Sequence, residues 1–103
     1  MKFITSKELS NSKNKFLVLD IRSPQRYMQS HVDGSINIDV YDDLHNGDKK
    51  IVEEKLRVLP KDKPIVTVCN AGMTAQHASR LLESLGYKTL VLEHGMMGWL
   101  SSK

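Results

Sequence analysis

The stretch IVTVCNAGMT at residues 65–74 decides the fold of this chain. Its first four residues form an apolar run typical of a buried strand, and a helical pattern begins near Thr74. Cys69, the only cysteine in the sequence, therefore lies between the end of a strand and the start of a helix. Free backbone N–H groups and the helix dipole favour an anion at such a junction. We therefore predict a reactive thiolate there, in preference to a small apolar residue that only closes the strand.

Strand and helix patterns alternate along the rest of the chain. The predicted strands are 16–21, 35–38, 65–68 and 88–92. The predicted helices are one capped by Ser6, one begun by Ser23-Pro24, 51–59, one from Thr74 to a cap at Gly86, and one holding Met96 to Leu100. Residues 40–50 are polar and turn-rich, which predicts a surface loop. This order predicts an α/β fold, with a mostly parallel central sheet and helices on both faces. Ligands bind such sheets at the carboxyl ends of the strands, where Cys69 and Asp20 are expected.

Composition excludes several classes of function. The chain has 103 residues, a size that predicts one domain over 1–103, and a net charge of +3. Its lysines fall in small groups without interleaved aromatic residues, so no nucleic-acid partner is expected. No apolar run approaches the ~20 residues that span a membrane. A single cysteine and the absence of a signal-peptide pattern predict a cytoplasmic protein. The four histidines lack metal-site spacing and no dinucleotide motif is present, so neither a metal nor a cofactor is expected.

Three stretches in register resemble the signatures of the rhodanese family. DIR at 20–22, followed by HVDGSINI at 31–38, resembles the first signature. CNAGMT at 69–74 resembles the active loop, and EHGMMGW at 93–99 resembles the closing signature. The order and spacing match over almost the whole chain. The resemblance implies a rhodanese-like fold and a sulfurtransferase.

In that chemistry Cys69 is the catalytic nucleophile. Its thiolate takes the outer sulfur from a small donor such as thiosulfate or polysulfide and holds it as a persulfide. It then passes the sulfur to a thiophilic acceptor, either a small thiol or an acceptor protein. The resemblance implies that the substrate-binding residues are Asn70, Ala71, Gly72, Met73 and Thr74. Thr74 either donates its hydroxyl to the persulfide or caps the following helix.

The loop also departs from the family pattern. Rhodanese loops often carry arginine at the second and sixth positions, where this chain has Asn70 and Thr74. Arginine binds an oxyanion through two charge-assisted hydrogen bonds, which neither residue replaces. A polysulfide or persulfide donor is therefore favoured over thiosulfate. The alternative function is a rhodanese-like binding or sulfur-relay module with little turnover of small molecules.

Three further residues are expected to support the structure around the loop. The resemblance implies that Asp20 closes the first long strand near the loop and that Arg22 pairs internally. His31 precedes a turn and is expected to be a hydrogen-bonded structural residue. His77 falls in the first turn of the helix after Cys69, where a solvated position is expected.

Overall fold

The fold is built on one five-stranded sheet, seen in a computed structural model that describes residues 1–102. Its strands are β1 (Phe3–Ile4), β2 (Leu17–Asp20), β3 (Ile36–Asn37), β4 (Ile65–Val68) and β5 (Thr89–Leu92). They lie in the order β1-β5-β4-β2-β3, and every neighbouring pair is parallel. The central strand β4 is buried along its whole length, which explains its apolar run.

Helices cover both faces of this sheet, so the predicted fold class is confirmed. They are α1 (Ser6–Ser12), α2 (Pro24–Gln29), α3 (Tyr41–His45), α4 (Lys49–Leu56), α5 (Met73–Ser84) and α6 (Gly95–Ser101). One buried cluster joins α4 and α5 to the sheet through Val52, Leu56 and Leu82. A second cluster joins α1 and α6 to the opposite face through Leu9 and Trp99.

Local sequence signals explain several helix ends. Ser23 caps α2 and Pro24 is its first residue, as predicted. Gly86 follows α5 with φ of +93° and donates its N–H to the Glu83 carbonyl, which also agrees with the prediction. The cap predicted for α1 was one residue late. Thr5 caps that helix because Glu8, three residues on, completes a capping box with it.

The prediction of a surface loop over 40–50 was wrong. The segment contains helix α3, and α4 begins at Lys49 and ends at Leu56, earlier at both ends than the predicted 51–59. Two acidic residues in the first turn of α3 suit the positive end of its dipole. Leu44 packs against the buried cluster below and anchors this mostly polar helix.

The ends of the sheet also differ from the prediction. The apolar pair Phe3–Ile4, for which no strand was predicted, is the edge strand β1 and pairs with β5. The strands β2, β3 and β5 are each one or two residues shorter than their apolar runs. Ile21 lies just past the end of β2, yet it is fully buried and donates its N–H to the Val68 carbonyl, so the apolar run extends beyond the strand.

Candidate active site

The cysteine loop, residues 69–74, begins immediately after β4 at the carboxyl edge of the sheet. The Cys69 Sγ accepts hydrogen bonds from the N–H of Gly72 at 3.1 Å and of Ala75 at 3.3 Å. Gly72 has φ of +103°, a conformation that brings the chain round the sulfur and that side chains disfavour. The side chain of Cys69 is buried. The loop therefore surrounds the sulfur with donors that stabilise a negative charge.

The start of α5 adds further donors beside the sulfur. Gly72 is the N-cap of this helix, without a side-chain cap hydrogen bond, and Met73 and Thr74 are its first two residues. N–H groups in the first turn of a helix have no carbonyl partner within that helix. The expectation that Thr74 caps the helix was wrong, because the chain enters α5 two residues earlier.

The first turn of α6 holds the outer side of the cysteine loop. Met96 donates its N–H to the Cys69 carbonyl at 2.8 Å, and Met97 donates to the Asn70 carbonyl at 3.0 Å. Both carbonyl oxygens are therefore bound by α6. A Cβ added at Gly95 would lie 2.3 Å from the Cys69 oxygen and 2.7 Å from the Asn70 oxygen. Sequence reasoning noticed this glycine-rich turn but did not predict that it positions the loop.

Asp20 and Arg22 form a buried ion pair at the end of the neighbouring strand β2. The Arg22 Nε donates to Asp20 Oδ1 at 2.9 Å and Nη2 donates to Oδ2 at 2.7 Å. Nη2 also donates to the Ser30 carbonyl at 2.7 Å, and the Asn37 amide donates to the Arg22 carbonyl. These bonds connect β2, β3 and the end of α2. The guanidinium is thus occupied within the framework.

His31 lies just after the end of α2, and its side chain contacts Tyr27 of that helix. Its Nδ1 is 2.8 Å from the Tyr27 carbonyl, and the two rings stack with centroids 4.0 Å apart. His77 is exposed on α5, as expected for a solvated position.

The predicted substrate-binding residues have different exposures. Ala71 and Met73 are exposed, and Asn70 is partly buried. Thr74 is buried, and its Oγ1 lies 3.2 Å from Nε2 of His45, which belongs to α3. Sequence reasoning missed His45 because the helix that carries it was predicted to be a loop.

A groove of about 630 Å³ opens beside the cysteine loop, between α5 and the segment of α3 and α4. We call it the α5 groove. Met73 and Thr74 form its end at the loop, and Leu44, Val52 and Leu81 supply apolar walls. A smaller cleft of about 210 Å³ is lined by Asn70 and by arginines of the α2 region.

Residues 1–102 contain no group of three or more His, Cys, Asp or Glu side chains arranged to hold a metal ion. Within the same range, no helix combines the length and the apolar character needed to cross a membrane.

A single thiol that accepts hydrogen bonds from backbone N–H groups, at the carboxyl edge of a parallel sheet covered by helices, defines an α/β protein with a cysteine loop between strand and helix. Residues 5–102 match the family model of the rhodanese-like domain, and the chain belongs to that family. The family match therefore includes the cysteine loop, the strands β2 and β5 on either side of β4, and the α6 turn that holds the loop.

Individual relatives agree with this assignment. The chain is 31% identical over 87 residues to the thiosulfate sulfurtransferase GlpE of Pseudomonas fluorescens, covering 84% of this chain and 72% of that one. It is 39% identical over 71 residues to the adenylyltransferase and sulfurtransferase UBA4 of Saccharomyces cerevisiae, covering 67% of this chain but only 16% of UBA4. The crystal structure of a rhodanese-related protein from Thermoplasma volcanium superposes with a TM-score of 0.83 at 24% identity, covering 99% of this chain and 93% of that one.

Proposed function

We propose that the protein is a sulfurtransferase that carries sulfane sulfur as a persulfide on Cys69. The observation that supports this most directly is the pair of N–H donors on the cysteine sulfur, from Gly72 and Ala75. A thiolate is the reactive form of cysteine, and backbone donors stabilise that charge without a separate base. The same donors suit the persulfide anion that replaces the thiolate after sulfur transfer.

The reaction consists of two displacements at sulfur. In the first, the Cys69 thiolate attacks the outer sulfur of the donor and forms an S–S bond. The bond between that sulfur and the rest of the donor breaks, and its electron pair leaves with the donor, as sulfite from thiosulfate or as a shortened polysulfide. In the second, an acceptor thiolate attacks the outer sulfur of the persulfide. The S–S bond to Cys69 breaks, the thiolate is restored, and the acceptor leaves as a persulfide. Cys69 returns to the thiolate, so the protein is neither oxidised nor reduced over the whole cycle.

We propose polysulfide or persulfide as better donors than thiosulfate. The cysteine loop carries no cation, since its second and sixth residues are Asn70 and Thr74. The nearby Arg22 is bound to Asp20 and to the Ser30 carbonyl, so recruiting it for an oxyanion would uncover a buried carboxylate. Thiosulfate has a sulfonate head that benefits from a bidentate cation, whereas a polysulfide has none.

Intact mass spectrometry tests the carrier role. The protein is incubated with polysulfide and, separately, with thiosulfate, and the wild type is expected to gain the mass of one sulfur atom, faster from polysulfide. Cys69→Ser is the matched control, because its hydroxyl fills nearly the same space but is a weak nucleophile without a base. It should remain folded by circular dichroism and gain no sulfur.

The alternative function makes a different prediction for the same samples. A binding or relay module would gain little sulfur from either small donor and would show little thiosulfate:cyanide turnover. Sulfur gain by Cys69→Ser equal to that of the wild type would contradict the persulfide mechanism itself.

A further inference from the structure

The Thr74 hydroxyl is a buried polar group whose partner is a histidine. Thr74 is 8% exposed, and its Oγ1 lies 3.2 Å from Nε2 of His45. Among residues 1–102, no other group forms a hydrogen bond with this hydroxyl. A neutral imidazole nitrogen either donates to a hydroxyl or accepts from it, and a protonated one donates. The bond between the two side chains therefore persists when the histidine is protonated.

The residue that His45 holds is next to a donor on the cysteine sulfur. Thr74 is the second residue of α5, and the next N–H along the chain, that of Ala75, donates to Cys69 Sγ at 3.3 Å. A displacement of the first turn of α5 would carry this N–H away from the sulfur. Helix α6 bonds the carbonyls at the start of the cysteine loop. The histidine and α6 therefore support the loop at opposite ends.

His45 is itself held in place by its surroundings. It is the last residue of α3, and the preceding Leu44 packs against the buried cluster. The ring of Tyr41, one helical turn earlier, packs against the imidazole with centroids 4.4 Å apart and planes tilted by 45°. Tyr41 also lines the small cleft that Asn70 borders. Helix α3 thus lies beside both the second and the sixth residues of the cysteine loop.

We propose that His45 is a positioning residue for the Cys69 thiolate. This inference rests on the proposed function, since it names a residue that prepares the cysteine for sulfur loading. By bonding Thr74, the imidazole holds the first turn of α5 and keeps the Ala75 N–H directed at the sulfur. That N–H stabilises the thiolate, so the histidine raises the fraction of reactive thiolate at a given pH.

A histidine can also favour a thiolate by its positive charge, without any bond to Thr74. A test must therefore separate the hydrogen bond from the charge, and it must leave the other charged groups around His45 unchanged. Those groups lie on its own helix, on the neighbouring α4 segment and on α5, and they are Asp42, Asp43, Asp48, Lys49, His77 and Arg80. Of these, Asp43 is paired with Lys55 at 2.8 Å.

Three substitutions make this separation. His45→Phe keeps a ring against Tyr41 but cannot bond Thr74. His45→Gln carries no charge but keeps a hydrogen-bonding amide. Thr74→Val removes the hydroxyl and leaves the imidazole in place. His77→Phe is the matched control, because His77 is an exposed histidine in the α5 groove whose side chain has no hydrogen bond or ion pair among the described residues.

The pH dependence of Cys69 alkylation by iodoacetamide is the measurement, made on protein that carries no persulfide. In His45→Phe and Thr74→Val, we expect the midpoint to rise by about 0.5–1 pH unit, since the complete loss of one hydrogen bond to a charge corresponds to about one to two units. The double variant should shift no further, because both changes remove the same bond. His45→Gln and His77→Phe should keep the wild-type midpoint.

Rates at high pH distinguish positioning from general damage to the loop. Well above the midpoint the thiolate is fully formed in every variant, so all of them should react at the wild-type rate. A distorted or partly unfolded loop would instead change the rate at every pH, and that result in His45→Phe and Thr74→Val would overturn the proposal.

The remaining outcomes separate this inference from the sulfurtransferase function, when sulfur loading from polysulfide is followed by intact mass on the same proteins. Unshifted midpoints in His45→Phe and Thr74→Val would overturn the positioning role. Equal shifts in His45→Phe and His45→Gln would also overturn it, because the charge would then be the cause. Shifted midpoints without sulfur gain on wild-type Cys69 would contradict the proposed function alone. Sulfur gain with unshifted midpoints would contradict the role of His45 alone.

Discussion

Replacing Gly95 with alanine tests whether α6 fixes the shape of the cysteine loop. The added Cβ would lie 2.3 Å from the Cys69 carbonyl oxygen and 2.7 Å from that of Asn70, and both atoms belong to backbone. Overpacking of this kind costs about 1–3 kcal/mol. The residue also has φ of +55°, and a left-handed conformation costs a non-glycine residue about 1–2 kcal/mol. We therefore expect Gly95→Ala to lower the free energy of unfolding by about 2–5 kcal/mol.

Gly34→Ala is the matched control for this substitution. Gly34 has φ of +80°, but a Cβ there would have no atom within 4 Å. Its expected cost is the conformational part alone, about 1–2 kcal/mol. Urea denaturation of the wild type and both variants gives the two costs. The rate of sulfur loading from polysulfide, measured on folded protein, should fall for Gly95→Ala and not for Gly34→Ala. If the two variants lose the same stability and load at the same rate, the contact with the loop carbonyls does not constrain the site.

Three further predictions concern the ion pair, the first helix and the loop. Asp20→Asn should lower the free energy of unfolding by about 3–5 kcal/mol because it leaves a buried guanidinium without its anion. Asp43→Asn, at a more exposed pair, should cost no more than about 1 kcal/mol; equal costs in urea denaturation would contradict this. The Thr5 backbone and side chain hold the pKa of Glu8 below its ordinary value of 4.5. The stability this provides is present above pH 4.5 and is lost as the pH falls through the folded-state pKa, so the deficit of Glu8→Gln should shrink in acid; a deficit that is constant with pH would refute it. Thr74→Arg should raise thiosulfate loading about tenfold or more, from a charged hydrogen bond of roughly 1.5–3 kcal/mol. Thr74→Gln is its uncharged control, and a folded arginine variant without this gain would show that the missing cation does not set donor preference.

The central parts of the fold were predictable because their signals are local. The apolar run of β4 reflects burial on both faces, and Ser23-Pro24 and Gly86 act through their own backbone geometry. The α/β class followed from the alternation of such signals. The position of Cys69 between β4 and α5 followed for the same reason.

The missed features depend on contacts distant in sequence. Helix α3 is mostly polar and is anchored by Leu44 on a core that other segments build. Consequently the contact of His45 with Thr74, 29 residues apart, was not foreseen. The requirement for glycine at 95 likewise comes from the carbonyls of residues 69 and 70. Periodicity and capping patterns carry no information about such approaches.

The bonds from α6 to the cysteine loop also have a consequence for biosynthesis. A nascent chain that has emerged as far as Leu92 already contains all five strands and the cysteine. The carbonyls of Cys69 and Asn70 still lack the N–H groups of Met96 and Met97, which come after all five strands in the sequence. Because the turn that shapes the loop follows every strand in the sequence, the loop lacks its bonds to α6 until after the whole sheet has been synthesised.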